Sequence, residues 1–474
     1  MKPLHARVRW CGATLLVGAC WLAGCAQSPS HPEAAELVRP VPAAWQELDE
    51  SGLSIGAAQD PARWWEGWDD PALMAWVQAA LQANTDLRAA LAALAQARAA
   101  RDVAQAATLP TVDASVRARR QANEAAAGHV WSAGLDASWE LDVWGRRAAA
   151  LSAGEADLRA SAATLAWTRV ALAAEVALAY FDWWSARERL LAAEQSLAAQ
   201  NDSVQLTAWR VQAGLATQQD LDSARAALEQ TRASVAALRA AQRQAQYALT
   251  LLAARTPGEP LAEPRREPPQ PPIGWTLPAP AQVLTQRPDV AAAQARLQAA
   301  AARLQQAEAA QRPTLTLSGS LSWQAPRVSD LFDPAALTRQ LVASWVAPWF
   351  DGGQRAAQRR QQQAVLEQAR AALEGALLAA LRDVENALVA VAAERARVQH
   401  LQAAEAAAES ALRQATQRHR AGLSDLRTLL DAQRTWLAVR SERIAAQAQL
   451  AAAHVRLAKA LGGGWFSASE PNPT

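Results

Sequence analysis

Large apolar residues recur at helical spacing over most of the chain. Leu190, Leu197, Val204 and Val211 repeat every seven residues, and so do Leu221, Leu228 and Val235, with Leu249 two heptads further on. Leu377, Leu381, Val384, Leu388 and Val391 step by four and three, and Leu430, Leu437 and Ile444 return to the heptad. Sustained spacing of this kind predicts helices packed as in coiled coils, and the alanines between the larger side chains permit close approach. Segments 146–211 and 353–419 contain no proline, so each is predicted to be one helix roughly 100 Å long. Segments 73–107, 217–255, 281–311 and about 424–461 predict shorter helices, most of them roughly 45–60 Å. Two short helices stacked end to end therefore match one long helix. Residues 26–72, mixed and rich in Pro, Trp and Gly, are expected to be extended or irregular.

Four runs switch to a period of two. Trp131, Ala133, Leu135, Ala137, Trp139, Leu141 and Val143 alternate with Ser132, Gly134, Asp136, Ser138, Glu140 and Asp142. Val112, Ala114, Val116 and Ala118 alternate with Asp113, Ser115, Arg117 and Arg119. In the second half Leu315, Leu317, Leu321 and Trp323 alternate with Thr316, Ser318, Ser320 and Ser322, and Leu341, Ala343, Trp345, Ala347 and Trp349 form the fourth run. Each is about 10–13 residues, the length of a tilted membrane-spanning strand. A soluble antiparallel sheet with one face on a core gives the same alternation. Past the N-terminus no apolar stretch is expected to cross a bilayer as a helix, so a membrane crossing would be made by strands. Four strands cannot close a membrane barrel; a barrel would have to be shared between copies of the chain.

The design occurs twice. Asn84-Thr85-Asp86-Leu87 returns as Arg287-Pro288-Asp289-Val290, Leu109-Pro110-Thr111 as Arg312-Pro313-Thr314, and Ala213-Gly214-Leu215 as Ala421-Gly422-Leu423. The first two offsets are about 203 residues and the third about 208, far beyond a solenoid period. Between the halves lies Thr256 to Pro280, whose prolines exclude helix. It reads as a linker placed midway along the helices. The expected division is a signal peptide over 1–24, a lipidated segment over 25–72, a first repeat over 73–255, the proline-rich linker over 256–280, a second repeat over 281–464 and a tail over 465–474.

The 474 residues carry 47 Lys and Arg against 45 Asp and Glu, a balance that argues against a nucleic-acid surface. All three cysteines, Cys11, Cys20 and Cys25, fall at the N-terminus. There His5, Arg7 and Arg9 precede a short apolar run, Cys11 to Leu22, as in an export signal. Leu22-Ala23-Gly24-Cys25 resembles the lipobox of bacterial lipoproteins, which implies lipid on Cys25; an ordinary signal cut nearby would leave Cys25 as a thiol. Ala26 after the cysteine resembles outer-membrane sorting. No catalytic motif is present, the six histidines lack metal-ligand spacing, and Met1 and Met74 are the only methionines. No cofactor, no metal site and no enzymatic activity are expected.

Several motifs together carry a resemblance: Leu141-Asp142-Val143-Trp144-Gly145-Arg146, Phe350-Asp351-Gly352-Gly353, Gln286-Arg287-Pro288-Asp289-Val290, Asp383-Val384-Glu385-Asn386-Ala387-Leu388 and Ala460-Leu461-Gly462-Gly463-Gly464-Trp465. In this order, with the lipobox and the repeat, the chain resembles the TolC-like outer-membrane efflux proteins, in the lipoprotein branch that serves RND-type pumps. The resemblance implies a mainly α fold with membrane β structure. Long coiled-coil helices would form a periplasmic α-barrel, and four strands per subunit would contribute to a twelve-stranded outer-membrane β-barrel in a homotrimer. It further implies a lipid-anchored protein of the bacterial outer membrane that extends into the periplasm. Its partners would be a periplasmic adaptor, an inner-membrane RND-type pump and outer-membrane lipid.

By the same resemblance, Asp431 lines the constricted periplasmic tip as an acidic ring. Thr428 stands where the family has a companion acid. Asp220 and His419 match positions that pair across neighbouring hairpins to hold the gate shut. His419 replaces an aromatic hydroxyl with a group that titrates near neutrality; the alternative is a solvated pair of little energetic weight. Arg210, Gly214 and Leu215, with Arg418, Gly422 and Leu423, match the tip turns that meet the adaptor, although the glycines also suit plain turn chemistry. Trp131, Trp144, Trp323 and Trp349 suit the membrane interfaces, while Trp64, Trp65 and Trp68 suit ordinary packing. The function expected is a passive exit duct. The alternatives are the duct of a type I protein-secretion machine and, in another class, a coiled-coil envelope spacer without a pore.

Overall fold

A computed structural model of the chain describes residues 42–55, 61–123, 126–259, 262–271 and 276–463. The signal segment 1–24, the lipidation candidate Cys25, Gly464 and the 465–474 tail with Trp465 lie outside the described residues. All features below belong to the unit Ala43–Thr474.

Two helices dominate. The first, α4, spans Arg146–Gln212, and its counterpart α8 spans Gln354–Arg420. Both start after a glycine with positive φ, Gly145 at 75° and Gly353 at 88°. The shorter helices come as end-to-end pairs. Helices α2 (Pro71–Ala83) and α3 (Thr85–Ala106) precede α4, and α5 (Gln218–Leu252) follows it. In the second half α6 (Pro280–Gln286) and α7 (Pro288–Ala309) precede α8, and α9 (Leu426–Ala460) follows. Helix α4 packs against α3, α5, α7 and α9, and α8 packs against α7 and α9.

The stacking junctions fall at equivalent residues. Asn84 donates from Nδ2 to Leu252 O at 2.9 Å, and its Oδ1 accepts from the amides of Asp86 and Leu87. Arg287, one repeat later, donates from Nη1 to Ala460 O at 2.9 Å. The first helix of each half is therefore broken where one continuous helix was expected over 73–107 and 281–311. At Asn84 the side chain caps the next helix and ψ is 136°. At Arg287 the following proline pushes the backbone to ψ 124°.

The heptad residues divide into buried ones and half-buried ones such as Leu197, Val204, Val211 and Leu437. Leu221, Leu228 and Val235 are buried on α5, and Val384, Leu388 and Val391 on α8. By length and apolarity α4 contains a window fit to cross a bilayer, but half of it is buried inside the fold. Its alanines serve packing against four neighbouring helices.

Residues 26–72 are less irregular than expected where they are described. A short helix α1 (Leu48–Ser51) and a 3-10 turn over Pro61–Trp68 form. The turn plants Trp64, Trp65 and Trp68 in a core with Trp76, Phe181 and Trp183. Burying a side chain of this size contributes about 2–3 kcal/mol. The proline-rich linker is pinned to the same level of the helices. Trp76 Nε1 donates to Ala262 O at 3.0 Å, and Arg187, near the middle of α4, donates to Pro264 O at 2.5 Å. On the other long helix, Glu385 accepts from the amide of Gln46. A two-residue parallel pair missed by the sequence reading, β1 (Ser54–Ile55) on β4 (Thr276–Leu277), joins the N-terminal segment to the linker.

The four alternating runs form one antiparallel sheet in the order β2-β3-β5-β6, with β2 over Thr111–Asn123, β3 over Ala126–Leu141, β5 over Thr314–Ala325 and β6 over Leu337–Val346. Strands β2, β3 and β6 run beyond the expected alternation at Asn123, Ala126 and Leu337, and two strands end earlier than expected. Strand β3 ends before Asp142 and Val143, because Asp142 turns to cap α4 through the amides of Arg147 and Ala148. Strand β6 ends before Ala347 and Trp349, where Pro348 removes a ladder donor. The register sorts the faces. Val112, Ala137, Gly319 and Leu341 share one apolar row, and Leu141, Leu315 and Trp345 another. Asp113, Asp136, Ser320 and Gln340 share a polar row on the opposite face. The apolar face is solvent-exposed: Val116 is 80% and Leu341 76% accessible.

Candidate functional site

At the end of the helices remote from the sheet, the two helix-turn-helix tips are built alike. After α4, Leu215 N donates to Arg210 O at 2.7 Å and Gly214 N to Val211 O at 3.0 Å. After α8, Leu423 N donates to Arg418 O at 2.8 Å and Gly422 N to His419 O at 3.1 Å. These are Schellman pairs, in which a left-handed residue lets two orphan carbonyls be satisfied. Gly214 has φ 73° and Gly422 φ 74°, conformations that would strain an L residue. Arg210, Gly214 and Leu215 thus form one turn with Arg418, Gly422 and Leu423 as its repeat, through their backbones. Leu215 and Leu423 are left 78% and 73% exposed.

The helices that follow are capped by the same residue pair in opposite order. Thr217 caps α5: its Oγ1 accepts from Asp220 N, while the Asp220 carboxylate accepts from Thr217 N at 2.9 Å and Thr217 Oγ1 at 2.7 Å. At the equivalent place on α9, Asp425 is the cap, accepting from Thr428 N at 3.0 Å and from the Thr428 hydroxyl. The threonine hydroxyl bonds hold both carboxyls, Asp220 and Asp425, below the usual carboxylate range. The Thr-x-x-Asp spacing is a capping-box signal that the sequence reading passed over. Within the subunit Asp220 and Thr428 are thus occupied by capping.

His419 is brought to a partner that the sequence did not indicate. Its Nε2 lies 3.0 Å from Arg210 Nη1, and Arg210 Nη2 donates to His419 O at 3.1 Å. The other ring nitrogen, Nδ1, lies 3.3 Å from Ser424 O. A guanidinium has no lone pair to offer, so Nε2 accepts and Nδ1–H donates. The imidazole is 7% accessible, which removes it from the class of solvated surface groups. Within the subunit no hydrogen bond joins it to Asp220, whose carboxylate is taken by Thr217. A cavity of about 280 Å³ adjoins the ring, lined by Leu206, Leu412, Thr416, Leu429 and Trp436 among others.

Asp431 sits on the exposed side of α9, its carboxylate 3.8 Å from Arg434 Nη1. It is not drawn into the Arg210–His419 pair. Among the described residues no cluster of His, Cys, Asp or Glu is arranged to hold a metal ion.

Comparison with known proteins gives consistent matches over nine-tenths or more of the chain. A family model described as Outer membrane efflux protein matches residues 76–255 and again 279–463. The pyoverdine export outer membrane protein OpmQ of Pseudomonas aeruginosa is 33% identical over 469 residues, covering 95% of this chain and 97% of its own. Outer membrane protein OprJ of the same organism is 31% identical over 468 residues, covering 96% of each. Among solved structures, the outer-membrane channel OprN is similar with a TM-score of 0.82 at 31% identity, covering 90% of this chain and 98% of that one. The open state of the Neisseria gonorrhoeae MtrE outer membrane channel is similar with a TM-score of 0.82 at 27% identity, covering 92% and 97%. With paired long helices, an open sheet with one apolar face, and two matched segments of one family, this chain belongs to the outer membrane efflux protein family.

Proposed function

We propose that three copies of this chain form the exit duct of a tripartite efflux system, conducting substrate passively from an RND-type pump and a periplasmic adaptor to the outside. The observation that carries the proposal is the open sheet. The sheet ends at β2 and β6, whose outer edges have no strand partner among the described residues and are templates for pairing with another chain. One face is apolar and exposed, and the other carries Asp113, Asp136, Ser320 and Gln340. Pairing β6 of one copy with β2 of the next closes twelve strands into a barrel whose outside suits lipid and whose inside suits water. The outer-membrane efflux relatives are consistent with this use. The function needs no chemistry from the protein, only a pore and a gate.

In this reading the division into two repeats, 73–255 and 281–464, places one long helix and one stacked pair in each. The tips, with Arg210, Gly214, Leu215, Arg418, Gly422 and Leu423, meet the adaptor through the exposed leucines. Asp220, Thr428, His419 and Asp431 lie at or next to the closed constriction, and Cys25 carries the lipid anchor. Opening is a splaying of the tips, driven by tighter adaptor contacts with the open state than with the closed one. Single-channel conductance in planar bilayers tests it. Wild type should form a narrow, cation-favouring resting pore, and Asp431→Ala should raise resting conductance and weaken cation preference. Unchanged conductance and selectivity would remove Asp431 from the gate, and no conductance from either protein would overturn the duct itself.

A further inference from the structure

At the helical end of the sheet, most arginines are paired with carboxylates and Arg312 is held differently. Arg146 and Arg147 are both paired with Glu140, Arg355 with Asp351, and Arg359 with Glu308. Arg312, exposed in the turn between α7 and β5, has no carboxylate partner among the described residues. Its guanidinium lies over the ring of Trp144, 5.1 Å from the centroid. That ring is fixed on two sides. Its Nε1 donates to Pro313 O at 2.7 Å, and Trp345 packs against it at 6.4 Å and 65°. Trp345 is 54% exposed and ends the lowest apolar row of the sheet, beside Leu141 and Leu315. Beyond it Trp349 is 98% and Phe350 89% exposed.

A guanidinium held over an aromatic ring and without a carboxylate partner retains N–H donors that match two oxygens of a phosphate. Tryptophan rings settle at headgroup depth, with their apolar bodies toward the acyl chains. On the membrane reading given above, on which this inference rests, this end of the apolar face meets the periplasmic leaflet. We propose that Arg312, held on Trp144 beside Trp345, binds the phosphodiester of a glycerophospholipid in that leaflet, with Trp349 and Phe350 against its acyl chains. The site occurs once per subunit. At the equivalent place in the first half stands Leu109, 61% exposed, so the repeat supplies the scaffold without the cation. A phospholipid fixed there would set the height of the barrel in the bilayer independently of any lipid on the N-terminus.

The test is native mass spectrometry of the full-length detergent-extracted protein, delipidated and titrated with dioleoyl phosphatidylglycerol, with bilayer conductance recorded on the same preparation. Wild type should retain one lipid per subunit, and Arg312→Gln should weaken retention by about ten-fold or more, the loss of one bidentate charge-assisted contact. Arg312→Leu, which copies the first half, guards against a folding defect in the Gln variant and should behave alike. Equal lipid retention by wild type and both variants, in a preparation that conducts, overturns the lipid site alone. Release of the lipid by millimolar inorganic phosphate would make it a free-anion site and also overturn the proposal. Absence of conductance from wild type would overturn the channel reading and the lipid site with it.

Discussion

Arg210 of the first hairpin and His419 of the second are joined across the tip, Nη1 to Nε2 at 3.0 Å, and the same guanidinium donates to His419 O at 3.1 Å. One side chain on α4 therefore holds both the ring and the last carbonyls of α8 and ties the two hairpins of a subunit together in this conformation. Splaying one tip without the other requires this contact to break.

The contact should bias the channel toward closure. Arg210→Ala removes a charge-assisted donor from a partly exposed site, a loss of about 1 kcal/mol, or roughly five-fold in the closed-to-open ratio. Resting conductance in planar bilayers should rise accordingly. His419→Leu should give part of the same effect, and the double variant should show clear non-additivity, because both changes remove one interaction. Additive effects would mean that the two residues act separately.

The stacked-helix junction at Arg287 is predicted to govern stability more than gating. Its side chain is 1% accessible and bonds Asp289 at 2.6 Å, Asp383 at 3.5 Å and Ala460 O at 2.9 Å. Arg287→Ala leaves the Ala460 carbonyl without its side-chain donor and takes one of the donors from each of two partly exposed carboxylates, Asp289 keeping Val290 N and Asp383 keeping Arg382. Removing one partner of a buried pair costs about 3–5 kcal/mol; the exposure of the aspartates places this site near the lower figure. A fall in thermal midpoint with unchanged single-channel conductance is the expected result. Asn84→Ala, at the equivalent junction, should cost less, about 1 kcal/mol for a lost cap.

Acid should loosen the mid-helix core through His454. The ring is 2% accessible, sits edge-on to Trp68 at 6.4 Å, and has Nδ1 2.9 Å from Leu450 O. Burial pushes its pKa down, with the Leu450 carbonyl opposing and the Arg395 charge adding to the fall. The unfolded chain therefore takes up a proton at higher pH than the folded one. Stability is full above the ordinary imidazole value and is lost as pH falls toward the folded value. Thermal midpoints measured between about pH 5 and pH 8 should drop on the acid side, and His454→Gln should flatten that slope. An unchanged slope would show that other groups carry the acid sensitivity.

The sequence made the periodic parts legible and missed the parts set by single side chains. Heptads and alternation are properties of many residues, so the long helices and all four strands could be read from residues such as Leu388 or Leu135 and their neighbours. The break at Asn84 could not, because a capping asparagine in an alanine-rich run looks like any polar helix residue until its amide meets Leu252 O. Thr217 and Asp220 did carry a readable signal, the capping spacing. The family resemblance pointed Asp220 instead to a pairing across neighbouring hairpins. The Arg210–His419 contact joins residues 209 positions apart, and the periodicity of either helix contains no trace of it.

The central claim is that the open four-stranded sheet is completed by other copies of the chain in a membrane. The native mass of the protein extracted by detergent from the outer-membrane fraction tests this most directly. Three copies per particle, recovered only with detergent, is the result the account predicts. A monomer that stays in solution without detergent would contradict it, and the alternating strands would then be those of an ordinary soluble sheet.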